Sequence, residues 1–279
     1  LPPDQFQQSV VAFASRAGVL ASTGYGQEHQ IAVELHPLTT LPQMVKGRSI
    51  LLIHTAFLTK DRLQAYGYSS FVDTNRRIMD KVCEALISAD ASRVVDISSG
   101  AASLSQERGE SSLETAIDPY GFLKLQEERL LSESSVTQVF RVYALTGRFI
   151  RDPQSFAIGD FLVSALKGAP IRIKARGPVI RGYVSSSDVA QVALRWLISQ
   201  EESCRPVPAI THTVALTSLA AMITSMFGLP PVVSEALTES PNSYSDSPKA
   251  FLGMMHSYGL KPIALADEIV ETARGLGFI

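Results

Sequence analysis

The chain has only two cysteines in 279 residues. Cys83 falls inside a helical pattern and Cys204 sits in a polar stretch before Pro206, so neither a disulfide framework nor a four-ligand zinc site can be assembled. No dense run of lysine or arginine is present either. The 25 basic and 27 acidic residues leave a formal net charge of -2, which removes the electrostatic footprint that tracks a nucleic-acid backbone or an anionic membrane. The longest apolar stretches, such as Ile50–Ile53, fall far short of the ~20 residues that cross a bilayer. With no charged-then-apolar leader at residue 1 and so little cysteine, the expected compartment is a reducing cytoplasm. Neither an internal repeat nor a long low-complexity linker splits the chain.

What is there is an ordinary globular composition, 46% hydrophobic and 19% charged, enough to bury a sizeable core. The first half alternates β-rich runs with amphipathic stretches, the pattern of βαβ units feeding a parallel sheet. Strands are expected at Ser9–Ser15, Ile31–Leu35, Ser49–His54, Arg93–Ile97 and Gln138–Val142. Crossover helices are expected at Thr74–Ser88, where Ile78, Val82 and Leu86 recur at helical spacing, and at Tyr120–Ser132, with Leu123, Leu130 and Leu131. Beyond Gly147 the alternation weakens. Ile158–Lys167 reads as a helix, Pro170–Lys174 as a short strand, Ser187–Ser199 as a helix capped by Ser187 or Asp188, and the Ser-, Pro- and Asn-rich Glu235–Pro248 as a loop.

Tyr120 and Lys124 stand four positions apart on one predicted helix, so both side chains project from the same face. An ammonium beside a phenol favours the phenolate and lowers a pKa that is otherwise near ~10. Tyr120 is then equipped to act as a general acid or base toward a hydroxyl or carbonyl oxygen. About twenty residues earlier the strand Arg93–Ile97 runs into Ser98-Ser99-Gly100, which places hydroxyls at the carboxyl edge of a parallel sheet, where open α/β folds bind ligands. Taken singly, a Tyr-x-x-x-Lys spacing also arises by chance on solvated helices, and either serine in isolation reads better as simple strand termination.

In order along the chain, these residues resemble the extended short-chain dehydrogenases/reductases, the family of nucleotide-sugar epimerases, dehydratases and ketoreductases. Ser49-Ile-Leu-Leu-Ile-His54-Thr55-Ala56 is similar to the family's fourth strand and its His-x-Ala turn. Asn75 resembles the helix asparagine, Val95-Asp-Ile-Ser-Ser99 the catalytic-serine strand, and Asp118-Pro119-Tyr120-Gly-Phe-Leu-Lys124 the active-site helix. Arg141-Val-Tyr-Ala-Leu-Thr-Gly147 is similar to the sixth strand. Lys167–Ile173 and Arg181–Ala190 resemble the segment whose arginine binds a sugar nucleotide's diphosphate, and Asp246-Ser-Pro-Lys249 with Gly259–Pro262 resembles the C-terminal signature.

The resemblance implies a Rossmann-like, doubly wound parallel sheet in residues 1–148, rejoined by 183–215, with a smaller C-terminal substrate-binding lobe in 149–182 and 216–279. It implies Tyr120, Lys124 and Ser99 as the catalytic set. Ser15, Arg16, His54, Ala56, Asn75, Ile97 and Lys124 are implied to hold the cofactor, and Arg181, Gly100 and Tyr143 the substrate. No metal is expected. The function implied is an oxidoreductase or epimerase acting by hydride transfer on a nucleotide-linked sugar, in a homodimer joined through helices Thr74–Ser88 and Tyr120–Ser132. A ketoreductase on a substrate without a nucleotide, and a non-catalytic nucleotide-binding homologue, stand as alternatives. Arg181 is equally compatible with a surface salt bridge.

The sequence departs from the family in five places, two of them Ala102-Ser103-Leu104 where Val-Tyr-Gly is usual and Gly182 after Arg181 where an acid or its amide is common. The fingerprint Gly-x-x-Gly-x-x-Gly is absent near residue 1; if Ser9–Ser15 is the second strand, the expectation is that one βα unit of ~30 residues lies upstream. The run Phe13-Ala14-Ser15-Arg16-Ala17 carries no acid to accept the adenosine ribose hydroxyls, which favours NADP over NAD. Gly100-Ala101 follows Ser99 where dehydratases place an acidic pair, so dehydration is disfavoured. Remaining histidines (His29, His36, His212, His256) show no ligand spacing, and Trp196 with Met222, Met226, Met254 and Met255 reads as packing.

Overall fold

The computed structural model describes residues 11–14, 18–20, 33–150, 156–202, 205–234 and 239–277. The chain forms two compact units: residues 1–94 with 129–136, and residues 95–128 with 137–279.

In the first unit, Val11–Ala14 pairs in parallel with Val33–Pro37, and Gly18–Leu20 pairs antiparallel with the same strand. The described parts of the expected Ser9–Ser15 and Ile31–Leu35 are thus strands. Thr40 Oγ1 donates to Pro37 O at 2.8 Å, turning the chain into the short helix Leu41–Val45, which carries Pro42 in its first turn, where a missing N–H costs nothing. Ser49–His54 follows as predicted. The helix expected at Thr74–Ser88 begins earlier, at Tyr68, and runs to Ser88. It buries Phe71, Val72, Asn75, Met79, Val82, Ala85 and Leu86, an apolar stripe at helical spacing. Leu41, Val45, Val82, Ala85, Leu86, Val94 and Leu131 close this unit's core.

The strand Ala91–Ser99 is divided between the units after Val94. In the first, Ser49–His54 is its neighbour; in the second, Val136–Val142 and then Val207–Ala209 follow it in sheet order. These four strands form the parallel sheet of the expected α/β class, with Val207 facing Phe140 and Ala209 facing Val142 in register. The core of this part is built around Val95, Phe140, Val184, Trp196 and Phe251. Phe140 and Phe251 meet edge to face at 5.7 Å.

A second sheet of the same unit centres on Val179–Ser185, which pairs antiparallel with His212–Ala215 and parallel with Ala144–Thr146 and Asn242–Tyr244. Helices Ala157–Leu166, Leu216–Phe227 and Leu265–Gly275 pack Phe161, Leu162, Leu219, Ile223 and Ile269 into a separate core with Tyr183. Two expectations are corrected here. The stretch Glu235–Pro248, read as a loop, carries the strand Asn242–Tyr244; an open sheet edge supplies the backbone partners that its poor β propensity does not. The cap of helix Ser186–Ile198 is Ser185, whose side chain accepts from Ser187 N at 3.1 Å, one position before the residues expected.

Candidate active site

Alternation along Ala91–Ser99 sends Asp96 and Ser98 to one face and Ser99 to the other. On the first face Ser98 Oγ donates to Glu128 Oε1 at 2.5 Å. Arg141 grips that same carboxylate with two bonds, Nε to Oε1 at 2.9 Å and Nη2 to Oε2 at 2.6 Å, the bidentate geometry that gives arginine–carboxylate pairs their strength. The guanidinium also donates to Ser103 Oγ at 3.1 Å and Gln106 Oε1 at 2.7 Å. Arg141 therefore ties the short helix Gly100–Glu107 to the helix Pro119–Ser134.

Ser99 ends the strand and caps the helix Gly100–Glu107 by accepting from Ala101 N at 3.2 Å. Its hydroxyl also meets the phenol of Tyr120 and lies 3.3 Å from Tyr244 Oη. Asp118 Oδ1 accepts from Tyr120 N at 3.1 Å, which satisfies an orphan donor at the start of the helix Pro119–Ser134. One turn on, Lys124 is 2% exposed, and its ammonium donates to Ile97 O at 3.1 Å and Glu127 Oε2 at 2.6 Å. Tyr120, Lys124 and Ser99 are thus brought together, with Ile97 giving its carbonyl to the lysine.

The electrostatics differ from the simple expectation that Lys124 lowers the Tyr120 pKa. Burial acts first and raises it; Lys124 and the Ser99 hydrogen bond pull it down, Glu127 and Asp118 push it up, and the net direction is upward. For Lys124, burial lowers the pKa, but the carboxylates of Glu127 and Asp96 outweigh it, so the ammonium is held charged. Lys124 acts on the phenol with the expected sign, yet Glu127 cancels part of its field.

Around this centre lie three residues that the sequence placed with the substrate. The Tyr143 ring covers Gly100, where an added Cβ would come within 2.5 Å of the ring. Tyr143 Oη donates to Asp246 Oδ2 and accepts from Ser103 Oγ, both at 3.2 Å, and its ring lies against that of Tyr244 at 4.9 Å, tilted by 56°. Burial pushes both phenols up to about 12. Arg181 is directly opposite Tyr244 in strand register. Among the described residues its hydrogen bonds all run from Nη1, to Ile180 O at 2.9 Å, Asn242 Oδ1 at 2.9 Å and Asn242 O at 3.4 Å.

The expected cofactor residues divide. Ser15 and Arg16 lie outside the described residues. In the first unit, His54 is buried at the end of its strand and Ala56 is half-buried in the turn after it. Asn75 is fully buried and closes that turn, accepting from Leu58 N at 2.7 Å and donating to Leu58 O at 3.3 Å. Sequence reasoning missed Glu127, Glu128, Arg141 and Tyr244. Glu128 had a signal, one turn beyond Lys124 on the same face, and so did Arg141, a charge inside an otherwise strand-like run; Tyr244 had none. Among the described residues no three His, Cys, Asp or Glu side chains are grouped to hold a metal ion, and no helix is long and apolar enough to cross a membrane.

A tyrosine, a lysine and a serine thus come together where the strand Ala91–Ser99 of the α/β sheet ends. Residues 9–206 match the model of the NAD dependent epimerase/dehydratase family, and the chain belongs to that family. No curated protein matches it in sequence. Solved structures share its fold. MoeE5, in complex with UDP-glucuronic acid and NAD, is 19% identical with a TM-score of 0.70, over 98% of this chain and 92% of that one. The UDP-glucose 4-epimerase of Thermotoga maritima, with UDP-glucose, is 16% identical with a TM-score of 0.69, over 98% and 93%. The UDP-glucose 4-epimerase of Thermus thermophilus, in complex with NAD, is 17% identical with a TM-score of 0.69, also over 98% and 93%.

Proposed function

We propose that this chain is a nicotinamide-dependent epimerase or reductase of a nucleotide-linked sugar, with Tyr120 as its acid–base group. The observation that carries the reading is the Tyr120–Ser99 hydrogen bond beside a buried, charged Lys124. The donor set suits the nicotinamide-ribose end of a dinucleotide: an ammonium, a phenol and a serine hydroxyl converge at one sheet edge. A bound dinucleotide would supply hydride exchange at the sugar carbon. Tyr120 gives its proton to the developing alkoxide in reduction and takes it from the hydroxyl in oxidation, Ser99 donates to the same oxygen, and Lys124 holds the ribose and balances the phenolate. With its pKa raised, Tyr120 is protonated at neutral pH and stands ready in the donating direction.

The cofactor reading is NAD, because MoeE5 and the Thermus thermophilus epimerase hold it; a preference for NADP rests only on the acid-free run around Ser15 and Arg16, and titration with both cofactors separates them. The substrate reading rests on the Nε and Nη2 edge of Arg181, which matches diphosphate oxygens, and on the UDP-sugars in similar structures. Dehydration is disfavoured because the Tyr143 ring covers position 100, where an acid would be needed. A cytoplasmic homodimer through the helices Tyr68–Ser88 and Pro119–Ser134 belongs to the same proposal.

Mutation of Tyr120 to Phe tests the core of it. Turnover should fall by ~10²–10⁴-fold while calorimetric affinity for a UDP-sugar stays within a few-fold. Retained turnover would remove Tyr120 from the chemistry. Wild-type protein that binds no UDP- or dTDP-sugar yet reduces simple ketones would move the assignment to a ketoreductase.

A further inference from the structure

Beneath the Tyr120–Lys124 pair lie five buried ionisable side chains from three elements: Asp96 on the strand Ala91–Ser99, Lys124, Glu127 and Glu128 on the helix Pro119–Ser134, and Arg141 on the strand Val136–Val142. Four of them balance. Lys124 pairs with Glu127 at 2.6 Å and Arg141 with Glu128 at 2.6 Å. The fifth does not. Asp96 is fully buried, and among the described residues neither of its carboxylate oxygens has a hydrogen-bond donor. A third ionised carboxylate without a donor is the costliest state such a site can adopt, whereas a proton on one oxygen turns an orphan acceptor into a donor. Its neighbours leave one target for that proton: Glu127 is the carboxylate against which Asp96 sits in hydrogen-bonding contact.

We propose that Asp96 and Glu127 share one proton beneath Lys124, and that this singly charged pair positions the ammonium and sets how strongly it acts on the Tyr120 phenol. Asp96 and Glu127 are positioning residues, since both act through Lys124. Burial, with Glu127 and Glu128 close by, raises Asp96 well above the ordinary carboxylate range even against the opposing pull of Lys124. The charged and titratable groups that face Tyr120 are Lys124, Glu127 and Asp118 from its own helical segment and Tyr244 from the strand Asn242–Tyr244, with the neutral Ser99 as hydrogen-bond partner. Of these, only the Lys124–Glu127 pair couples the phenol to a proton store. Because the pair holds one proton, it carries one negative charge whichever carboxyl is ionised.

That count has a consequence which independent carboxylates do not share. Asp96→Asn leaves Glu127 ionised, and Glu127→Gln leaves Asp96 to ionise against Lys124, so each single variant keeps one charge under the lysine. Only the double variant removes it. The experiment is titration of the Tyr120 phenol by NMR in protein labelled at the tyrosine ring carbon, with Tyr120→Phe to assign the signal, alongside infrared difference spectra for the carbonyl stretch of a protonated carboxyl. The protein is used without added cofactor.

The expected result is a Tyr120 midpoint that stays in place in Asp96→Asn, falls only part of the way in Glu127→Gln, where the charge moves to the more distant Asp96, and falls by about one pH unit in the double variant, roughly a tenfold gain in phenolate fraction at fixed pH. In a Glu268→Gln background, which removes the other protonated carboxyl, the band should be present with Asp96 and Glu127 intact and missing in both single variants. A midpoint that falls as far in either single variant as in the double, or no band in that background with both carboxyls intact, overturns the proposal. If the double variant does not fold, the infrared band and the two single variants decide. The role rests on Tyr120 as the acid–base group proposed above, but the phenol is titrated without turnover. Loss of the catalytic reading through an active Tyr120→Phe enzyme is therefore distinguishable from loss of the shared proton.

Discussion

Gly100 shows how far one hydrogen in place of a methyl can shape a site. A Cβ there would meet the Tyr143 ring at 2.5 Å, and the ring is pinned through its hydroxyl to Ser103 and Asp246. Gly100→Ala should therefore cost ~1–3 kcal/mol of stability by overpacking, read as a lower urea midpoint; an unchanged midpoint would mean the ring moves freely. Arg181→Ala should weaken UDP-sugar binding by ~1–3 kcal/mol, the scale of charge-assisted bonds to phosphate, and calorimetry that shows no loss would leave Arg181 as a residue that only steadies Asn242. Tyr120, Lys124 and Ser99 were legible because they share a local geometry, one helical turn and one strand end. Tyr244 was not, since it reaches Ser99 from 145 positions away out of a segment whose composition reads as loop.

Two helices meet at Gly121. An added Cβ would come within 2.6 Å of Ala101 O and 2.8 Å of Ser105 Oγ, and the first of these is backbone that cannot rotate aside. Helix propensity alone makes Gly→Ala worth about 1 kcal/mol in favour of the variant. The contact should reverse that sign. Gly121→Ala is expected to lower the thermal midpoint and, by displacing the first turn of the helix Pro119–Ser134, to lower kcat with it; a stabilised variant would show that the helices have room to part. At this scale the long amphipathic helices were legible from their periodicity. The helix Gly100–Glu107 escaped notice because eight residues rich in Gly, Ala and Ser carry almost no apolar period, and their order comes from the Ser99 cap and the Arg141 tether.

At the scale of the whole molecule, a buried carboxyl away from the tyrosine centre also ties stability to pH. Glu268 is 1% exposed, and burial first, then Asp188, raises its pKa to about 7 from an ordinary 4.5, although the Thr146 hydroxyl and the Ser185 backbone pull it down. Thr146 Oγ1 donates to it at 2.8 Å, and His212 Nε2 stands 3.8 Å away. The folded state therefore keeps this proton through a pH range in which the unfolded chain has released it. Stability falls as pH rises from about 4.5 to about 7 and levels above that, a loss of about 3 kcal/mol from this group. Glu268→Gln should flatten that part of the profile. Urea denaturation of both proteins at pH 5 and pH 8 measures it, and equal slopes would place the pH dependence elsewhere.

The amino-acid order by itself determined the α/β class, the strands Ser49–His54, Ala91–Ser99 and Val136–Val142 and the spacing of tyrosine and lysine, because those depend on periods of two and 3.6 residues that neighbours in sequence carry; the strands of the second sheet, such as Val179–Ser185, were not legible. Tertiary structure alone decided the charge state around the tyrosine and lysine. How strongly Lys124 acts on Tyr120 depends on burial and on Glu127 lying close to both, and desolvation and Coulomb energy follow distance in space, which the sequence does not record.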